Sequence, residues 1–333
     1  MIAVTSGDLT PNHQQTSLNH PKTRKMLGII LVNYKSLEET VDYVQQQLVK
    51  ISIPYKIVIV NNACTEELNH QLVQQLSGEL VRSVEDSINT ENRVFVIAEP
   101  NNLGYACGNN LGFDFLDRHF NTEWMLISNN DLILEKDGIV EQLIDLGNNL
   151  PDTGVIGPQI RTPAGKSQSP HRKRSIWTQL ILPKLFYPAW AIWQKFGFGK
   201  EVVANANSGY YFRIMGCFFL VRTEAFRECE GFDPRTFLYG EEVILSARMK
   251  NIGYETYYSA EQTVIHNHRQ STSSYLSTRN IKQQTLKSML IYYRHYVKQP
   301  SWVCKLAQLA DWVEAKIYAP AIDLIKRSTR TRA

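Results

Sequence analysis

Four short apolar runs in the first half of this chain each end abruptly at asparagine or aspartate residues. The last run, residues 124–127, passes directly into Ser128-Asn129-Asn130-Asp131, where one carboxylate follows two amides. The three earlier runs end in the same way and lead to Asn33, to Asn61-Asn62 and to Asn102. Because ligands bind beyond the carboxyl ends of the strands in an open parallel sheet, these polar ends predict one shared crevice.

The segments between these runs read as helices. Residues 37–48 and 113–120 have helix-like patterns, and alternation of strands with helices is typical of right-handed crossovers. The intervening segment, residues 101–112, is rich in asparagine and glycine, so it is predicted to lie outside the core. The sequence therefore predicts an α/β fold with a mainly parallel central sheet and flanking helices.

Asp131 is the first candidate ligand for a metal ion. Asparagine and aspartate favour turns for local reasons, so this pattern alone fits a strand that simply ends in a turn. At the end of a parallel strand, however, an Asn-x-Asp also presents oxygen ligands to a divalent cation that holds phosphates. The other three polar strand ends favour the second interpretation.

Four motifs, taken in chain order, carry a resemblance to a known family. They are the segment 100–115, the turn at residues 128–131, Gly231-Phe232-Asp233-Pro234, and Phe237-Leu238-Tyr239-Gly240-Glu241-Glu242. Together they resemble family 2 glycosyltransferases of the GT-A fold, above all the rhamnosyltransferase-like members that build bacterial surface polysaccharides such as lipopolysaccharide. The resemblance covers residues 27–274. It implies an inverting, metal-dependent hexosyltransferase that moves a sugar such as rhamnose from a nucleotide diphosphate to a glycan or lipid-linked glycan.

The resemblance implies roles for individual residues. Asp131 would bind Mg²⁺ or Mn²⁺ on the diphosphate, and His266 matches a histidine near that metal, with His268 as a second choice. Glu241 and Glu242 would supply the acceptor-side carboxylates. Both stand at the start of a helix predicted over Glu241–Asn251, and we favour Glu242 as the general base and Glu241 as its support or as an acceptor contact, with Asp233 as the next candidate. The residues implied around the nucleotide-sugar are Asn33, Asn61, Asn62, Asn102, Gly104, Asn109, Asn129 and Asn130.

Three positions depart from the family pattern. Asn61 stands where the family usually has aspartate, Glu242 stands where it has aspartate after glutamate, and Ile244 replaces a second acid. These changes leave two alternatives open. One is a catalytically degenerate GT-A protein that acts as a glycan-binding module, and the other is a nucleotidyltransferase, which would not need a base opposite the sugar.

The chain divides into three parts on these grounds. Residues 1–25 are polar and predict a disordered leader, and residues 26–275 predict the GT-A catalytic domain, with a nucleotide-sugar half at 26–135 and an acceptor half at 136–275. Residues 276–333 predict a helical extension packed on that domain. Its apolar residues recur at helical spacing, namely Leu286, Met289, Leu290, Tyr293, Val297, Val303, Leu306, Leu309, Val313 and Ile317.

Composition argues for a cytoplasmic enzyme. The formal net charge is only +4, which does not indicate nucleic-acid binding, and the five cysteines form no Cys-x-x-Cys pair. No run is apolar enough for a predicted membrane span. Residues 176–198 mix tryptophans with leucines behind the basic segment His171-Arg172-Lys173-Arg174, which fits either peripheral contact with the inner face of the cytoplasmic membrane or a buried acceptor lobe. Four basic residues near the end of the sequence could contact anionic lipid or simply form a solvated charged end, namely Lys326, Arg327, Arg330 and Arg332.

Overall fold

The centre of the molecule is one ten-stranded mixed sheet. The computed structural model describes residues 26–195, 199–267, 278–318 and 320. The strands are β1 (Met26–Asn33), β2 (Tyr55–Asn62), β3 (Glu79–Val81), β4 (Val94–Glu99), β5 (Thr122–Ser128), β6 (Leu132–Leu134), β7 (Thr153–Arg161), β8 (Gly209–Tyr211), β9 (Phe218–Arg222) and β10 (Glu255–His266).

The described helices surround this sheet. They are α1 (Leu37–Asp42), α2 (Glu66–Leu76), α3 (Gly104–His119), α4 (Ile139–Asn148), α5 (Leu182–Leu185), α6 (Tyr187–Lys195), α7 (Thr223–Glu228), α8 (Glu241–Asn251), α9 (Thr278–Ile291) and α10 (Ser301–Val313). Wider π-helical turns extend several of them, at Tyr43–Gln47, Trp177–Ile181, Tyr292–Tyr296 and Glu314–Tyr318, and a 3₁₀ turn follows α1 at Leu48–Lys50.

The strand order places the polar strand ends side by side. The order is β3-β4-β2-β1-β5-β9-β7-β10-β6, with β8 paired to β10. The first five strands of this order are parallel, whereas β9 runs antiparallel to both of its neighbours. Asn33 pairs in register with Asn61, and Leu31 pairs with Ser128. The predicted α/β fold with a mainly parallel sheet is confirmed.

Alternate residues of the central strands fill two cores, one on each face of the sheet. Ile29 of β1 belongs to the core under α1, α2 and α4, whereas Ile30 belongs to the core under α3, α7 and α8. Strands buried on both faces read as continuous apolar runs, which is why these segments stand out in the sequence.

Helix α3 begins earlier than the pattern of residues 113–120 predicts. It starts at Gly104, and Gly108 and Gly112 face the sheet inside it. A Cβ atom at Gly112 would lie only 2.6 Å from the Ile30 side chain, so glycine allows the helix to approach the strands closely. The prediction that the glycine-rich segment lies outside the core is therefore wrong.

The C-terminal helices α9 and α10 pack on the preceding part of the chain through a third core. It joins Ile176, Leu180 and Ile181 to residues of α8, α9 and α10. Ile244 is fully buried in this core, so the residue that replaces a family acid packs against the tail.

The buried face of α10 differs from its predicted face. Val303 is buried and Leu306 packs on the third core as expected, but Leu309 of α10 and Ile317 of the following turn are exposed. The other buried residues of α10 are Cys304, Ala307 and Ala310. Small residues let α10 lie close to its neighbours, which turns the larger apolar residues outward.

The aromatic helix α6 has both an inner and an outer side. Trp190 is 7% exposed, whereas Trp193 is 50% exposed. The centroids of their two rings are 6.1 Å apart. No described helix is long and apolar enough to cross a membrane. The predicted leader (residues 1–25), His268 and the basic residues after position 320 lie outside the described residues.

Candidate active site

Asp131 and His266 are brought together by a short antiparallel pairing. Strand β6 starts just after Asp131 and pairs with the end of β10, so that His266 lies opposite Leu132. The Asn267 amide also donates a hydrogen bond of 2.8 Å to the Asp131 carbonyl oxygen. As a result, the His266 Nε2 atom lies 3.3 Å from Asp131 Oδ2.

The Asp131 carboxylate is suited to bind a cation. Both of its oxygens are buried, and neither has a hydrogen-bond partner among the described residues. A buried carboxylate in this state is costly unless an ion or a ligand compensates it. His266 Nδ1 lies 3.1 Å from Gln168 Oε1, which is the kind of contact that orients metal-binding histidines.

The described residues contain no cluster of three or more histidine, cysteine or acidic side chains that would enclose a metal. Asp131 and His266 therefore fit a cation that receives its remaining ligands from phosphates and water, as Mg²⁺ and Mn²⁺ commonly do.

Gly216 and Cys217, which precede β9, connect this pair to the candidate base. The Asn129 amide donates a 2.8 Å hydrogen bond to the Cys217 carbonyl oxygen. Burial raises the pKa of the Cys217 thiol well above its ordinary value, and the nearby Asp131 and Glu242 carboxylates raise it further. Nothing in the sequence pattern singled out these two residues.

The two candidate catalytic glutamates begin α8. Tyr239 and Gly240 both have positive φ angles, of 67° and 95°, and this tight turn directs the helix start toward the crevice. Glycine tolerates this conformation readily, whereas tyrosine rarely adopts it, and such strain is concentrated at functional sites. The sequence prediction of a helix over Glu241–Asn251 is confirmed.

Glu241 is buried and differs from Glu242 in its surroundings. Burial and the adjacent Glu242 raise the pKa of Glu241 to about 8, and its Oε2 atom has no hydrogen-bond partner in the described chain. Glu242 is half-buried and packs directly on Gly216, where an added Cβ atom would lie 2.5 Å from Glu242 Cγ. Any larger residue at Gly216 would displace the candidate base.

Tyr105, in the first turn of α3, contacts Gly216 and lies close to Glu241 and Glu242. Its hydroxyl donates a hydrogen bond to the Gly216 carbonyl oxygen. Burial, Glu241 and Glu242 together raise the pKa of the Tyr105 hydroxyl well above its ordinary value. Tyr105 is therefore a site residue that the sequence motifs did not single out.

Asp233, the third candidate acid, is held in a hydrogen-bonded clamp. Arg235 donates to it through the backbone amide and the guanidinium, and the Tyr296 hydroxyl donates at 2.8 Å. Burial works to raise the pKa of Asp233, but these donors outweigh it and lower that pKa to about 2. This geometry fixes the loop before α8 against the C-terminal helices.

Several predicted nucleotide-binding amides form a chain with one another. Asn33 donates to Asn61 at 2.7 Å, and Asn61 donates to Asn69 at 2.8 Å. The Asn33 carbonyl oxygen accepts hydrogen bonds from Ser36 and Thr40, and the Asn130 amide donates to the same two hydroxyls. Asn61 therefore lies at the predicted strand end, but both ends of its buried amide are already engaged.

The remaining predicted amides surround the start of α3. The Asn102 side chain accepts a 3.0 Å hydrogen bond from the Gly104 amide, and Asn62 donates to the Gly104 carbonyl oxygen at 3.2 Å. Gly104 has a φ of 75°, and a Cβ atom there would lie 2.3 Å from the Phe237 carbonyl oxygen. Asn62 and Asn109 each keep a buried carbonyl oxygen that no described residue satisfies.

Glu201, His171 and Arg213 form an ionic network close to Glu241. Glu201 accepts a hydrogen bond from Arg213, and its Oε1 atom lies 3.6 Å from His171 Nδ1. Burial works to raise the pKa of Glu201, but His171 and Arg213 outweigh it and lower that pKa to about 2. The charge of Arg213 also opposes the rise in the Glu241 pKa.

The sheet topology, with Asp131 shortly after β5 and the two glutamates at the start of α8, fits the GT-A class of glycosyltransferase folds. Residues 29–229 match the profile of the family described as Glycosyl transferase family 2. The chain belongs to this family, because the match covers more than half of its length.

Curated relatives and solved structures agree with that assignment. The N-acetylglucosaminyl-diphospho-decaprenol L-rhamnosyltransferases of two Mycobacterium tuberculosis strains are 23% identical over 249 residues, which is 74% of this chain and 78% of theirs. The fold resembles the Pyrobaculum calidifontis mannosyltransferase PcManGT, solved with GDP-Man and Mn²⁺, at a TM-score of 0.52, with 11% identity and coverage of 93% and 81% of the two chains. It also resembles residues 1–349 of S. aureus TarS with UDP-GlcNAc, at a TM-score of 0.51, with 10% identity and coverage of 85% and 70%.

Proposed function

We propose that this protein is an inverting, metal-dependent glycosyltransferase that moves a sugar from a nucleotide diphosphate to a lipid-linked glycan. The observation that supports this most strongly is the pairing of two unlike acidic groups around Gly216 and Cys217. On one side lies Asp131, with two buried oxygens that accept no hydrogen bond in the described chain. On the other side lies the adjacent pair Glu241 and Glu242.

Asp131 and His266 hold the leaving-group side in this proposal. A bound Mg²⁺ or Mn²⁺ would supply Lewis-acid stabilisation to the departing diphosphate. The contact of His266 with Gln168 keeps the imidazole ring oriented toward Asp131. The unsatisfied carbonyl oxygens of Asn62 and Asn109 are available to donor groups on the nucleotide-sugar.

Glu242 acts as the general base on the acceptor side. It accepts the proton of the attacking acceptor hydroxyl, while Glu241 supports it and carries a proton of its own at neutral pH. A neutral Glu241 avoids two adjacent negative charges in a buried place. Attack from the side opposite the leaving group inverts the anomeric configuration.

We propose deoxythymidine-diphosphate rhamnose as the donor and a sugar on a polyprenyl diphosphate as the acceptor. The name of the mycobacterial relatives supports this choice, since it specifies an L-rhamnosyltransferase acting on a decaprenol-linked sugar. Such an acceptor places the enzyme in the cytoplasm, peripherally on the inner face of the cytoplasmic membrane, in surface polysaccharide biosynthesis.

The test is a panel of nucleotide-sugars incubated with the purified protein, with and without Mg²⁺ or Mn²⁺. We expect metal-dependent release of nucleoside diphosphate, strongest with the rhamnose donor. Release of pyrophosphate would identify a nucleotidyltransferase instead. Donor binding without turnover, in the presence of a polyprenyl-linked acceptor, would identify a catalytically degenerate binding module.

A further inference from the structure

Helix α10 presents an exposed stripe of tryptophan, leucine and lysine. Trp302, Leu309 and Trp312 are 62%, 53% and 55% exposed, and Lys305 is exposed between them. Their spacing of three or four residues places all four side chains on one face of the helix. The wider turn after α10 continues the stripe with the exposed Lys316.

The acidic residues of the same segment are turned away from this stripe. Asp311 is half-buried and bonded to Lys184 of α5. Glu314 bonds to Lys282 of α9 at 2.8 Å. Between residues 301 and 318 these are the only two acids in the sequence, so the exposed stripe is apolar and positively charged.

The stripe continues onto the segment that precedes α6. The Trp177 and Trp302 rings pack edge to face with their centroids 6.4 Å apart, and both side chains are exposed. We call this combined region the tail surface, and its exposed large residues are Trp177, Trp302, Leu309 and Trp312. Contiguous exposed apolar surface of this kind marks a place where a membrane or another molecule binds.

We infer that the tail surface docks on the headgroup region of an anionic lipid bilayer. Tryptophan and leucine suit the boundary between acyl chains and headgroups, and lysine stems lie along apolar surface while their ammonium groups reach lipid phosphates. A second copy of this chain fits less well. A symmetric interface would place Lys305 and Lys316 of both copies together without an exposed acid on the stripe to oppose them.

The tail surface is connected to the acceptor side of the candidate active site. The exposed Arg172 and Lys173 precede Trp177 in the chain. His171, directly before them, bonds through its backbone to Arg213, whose charge acts on Glu241. Val243 and Ile244, which directly follow the glutamates, share the third core with α10. Docking would therefore bring the acceptor side of the site toward the bilayer, where a lipid-linked acceptor lies, and this last step rests on the proposed function.

Co-sedimentation of the full chain with vesicles tests the docking. The probes are vesicles of phosphatidylcholine alone and vesicles that also contain phosphatidylglycerol. We expect binding to the anionic vesicles only, weakened by added salt. Lys305→Gln with Lys316→Gln should reduce partitioning by about fivefold per lysine. Trp302→Gln with Trp312→Gln should reduce it by at least about tenfold.

Matched controls lie on surfaces distant in sequence from the stripe. Lys136→Gln with Lys166→Gln removes two exposed lysines, and Val49→Ser removes an exposed apolar side chain, so both should bind vesicles like the wild type. Thermal unfolding checks that each variant is folded. The lysine pair keeps the test informative if the tryptophan pair is destabilised.

Three results would overturn the proposal. They are equal binding to neutral and anionic vesicles, unchanged binding of the lysine variant, or a sedimentation velocity that shows a dimer lost with the tryptophan variant. Donor hydrolysis is measured separately, without vesicles. Loss of docking with normal hydrolysis concerns the tail surface alone, whereas docking without hydrolysis concerns the proposed function alone.

Discussion

Two sets of buried polar groups lie at the same edge of the sheet, and they differ in how their hydrogen bonds are satisfied. Asn33, Asn61 and Asn69 donate and accept among themselves, so this amide chain is internally complete at its centre. Asp131 and Glu241, in contrast, keep buried oxygens without hydrogen-bond partners in the described chain. The first set stabilises the loops, and the second is the one that we propose to contact ligands.

The difference teaches that position at a strand end does not by itself define a ligand contact. A satisfied buried amide contributes to stability, because removing its partner leaves a group that is expensive to bury. An unsatisfied buried carboxylate has the opposite effect and is retained at a cost to stability. Substitutions in the two sets should therefore separate activity from stability.

The largest effect is expected for Asp131→Ala. The change removes the carboxylate proposed to hold the metal, so metal-dependent turnover should fall by at least about 10³-fold. Thermal unfolding should stay near or above the wild-type midpoint, since a costly buried group disappears. Initial rates across titrations of Mg²⁺ and Mn²⁺ measure the first effect, and calorimetry measures the second.

Asp137→Ala is the matched control, because Asp137 is an exposed acid six residues further along the chain. It should retain wild-type turnover and stability. Near-normal activity of Asp131→Ala across the same titration would contradict the metal assignment.

The next effect separates the two glutamates. Glu242→Gln keeps the size of the side chain but cannot accept a proton, so kcat should fall by about 10²–10⁴ while donor affinity changes little. Glu241→Gln should do less harm, and Glu242→Asp should be impaired but active. Steady-state rates and calorimetric donor titration with metal present distinguish these cases. A collapse of kcat in Glu241→Gln alone would exchange the two roles.

Much of the fold could be predicted from the sequence because buried parallel strands are continuous apolar runs with polar ends. The same ends located Asp131, and the Tyr239-Gly240 turn located Glu241 and Glu242 at a helix start. These features are local in the chain. Long-range pairings carry no such pattern, so the contact of His266 with Asp131 was implied only by family resemblance and is made by β6 against β10.

Other features depend on packing that the local sequence does not encode. Gly216 and Cys217 matter because β9 enters the sheet between β5 and β7, which no motif indicates. Helix α3 is buried through its glycines, so its composition resembles that of a loop. On α10, Ala307 and Ala310 face inward whereas Leu309 faces outward, because close approach favours small residues there.

A smaller effect, on stability, is expected for the amide chain. Asn61→Ala removes the acceptor of the buried Asn33 amide, so unfolding should become easier by about 1–3 kcal/mol. Denaturant titration measures this change. Asn129→Ala is the control at the same sheet edge, because the Asn129 side chain is only half-buried, and it should shift stability less. Equal changes in unfolding free energy in both variants would show that the buried amide chain stabilises the protein no more than the half-buried Asn129 does.

The smallest effect concerns the pH dependence of stability and tests the buried state of Glu241. Its pKa is about 8 in the folded protein and 4.5 for an ordinary glutamate, so folding holds a proton that unfolding releases between these values. Stability from this group is full below about pH 4.5 and is lost as the pH rises through about 8. Glu241→Gln removes this dependence, so its unfolding free energy relative to wild type should increase with pH, by at most about 1.4 kcal/mol per pH unit between these two pKa values. Denaturant titrations across this range measure the difference, and Glu135→Gln, at an exposed position, should follow the wild-type curve. Parallel plots of unfolding free energy against pH for wild type and Glu241→Gln would mean that Glu241 carries no extra proton in the folded state. Glu241 and Glu242 would then carry two negative charges rather than one.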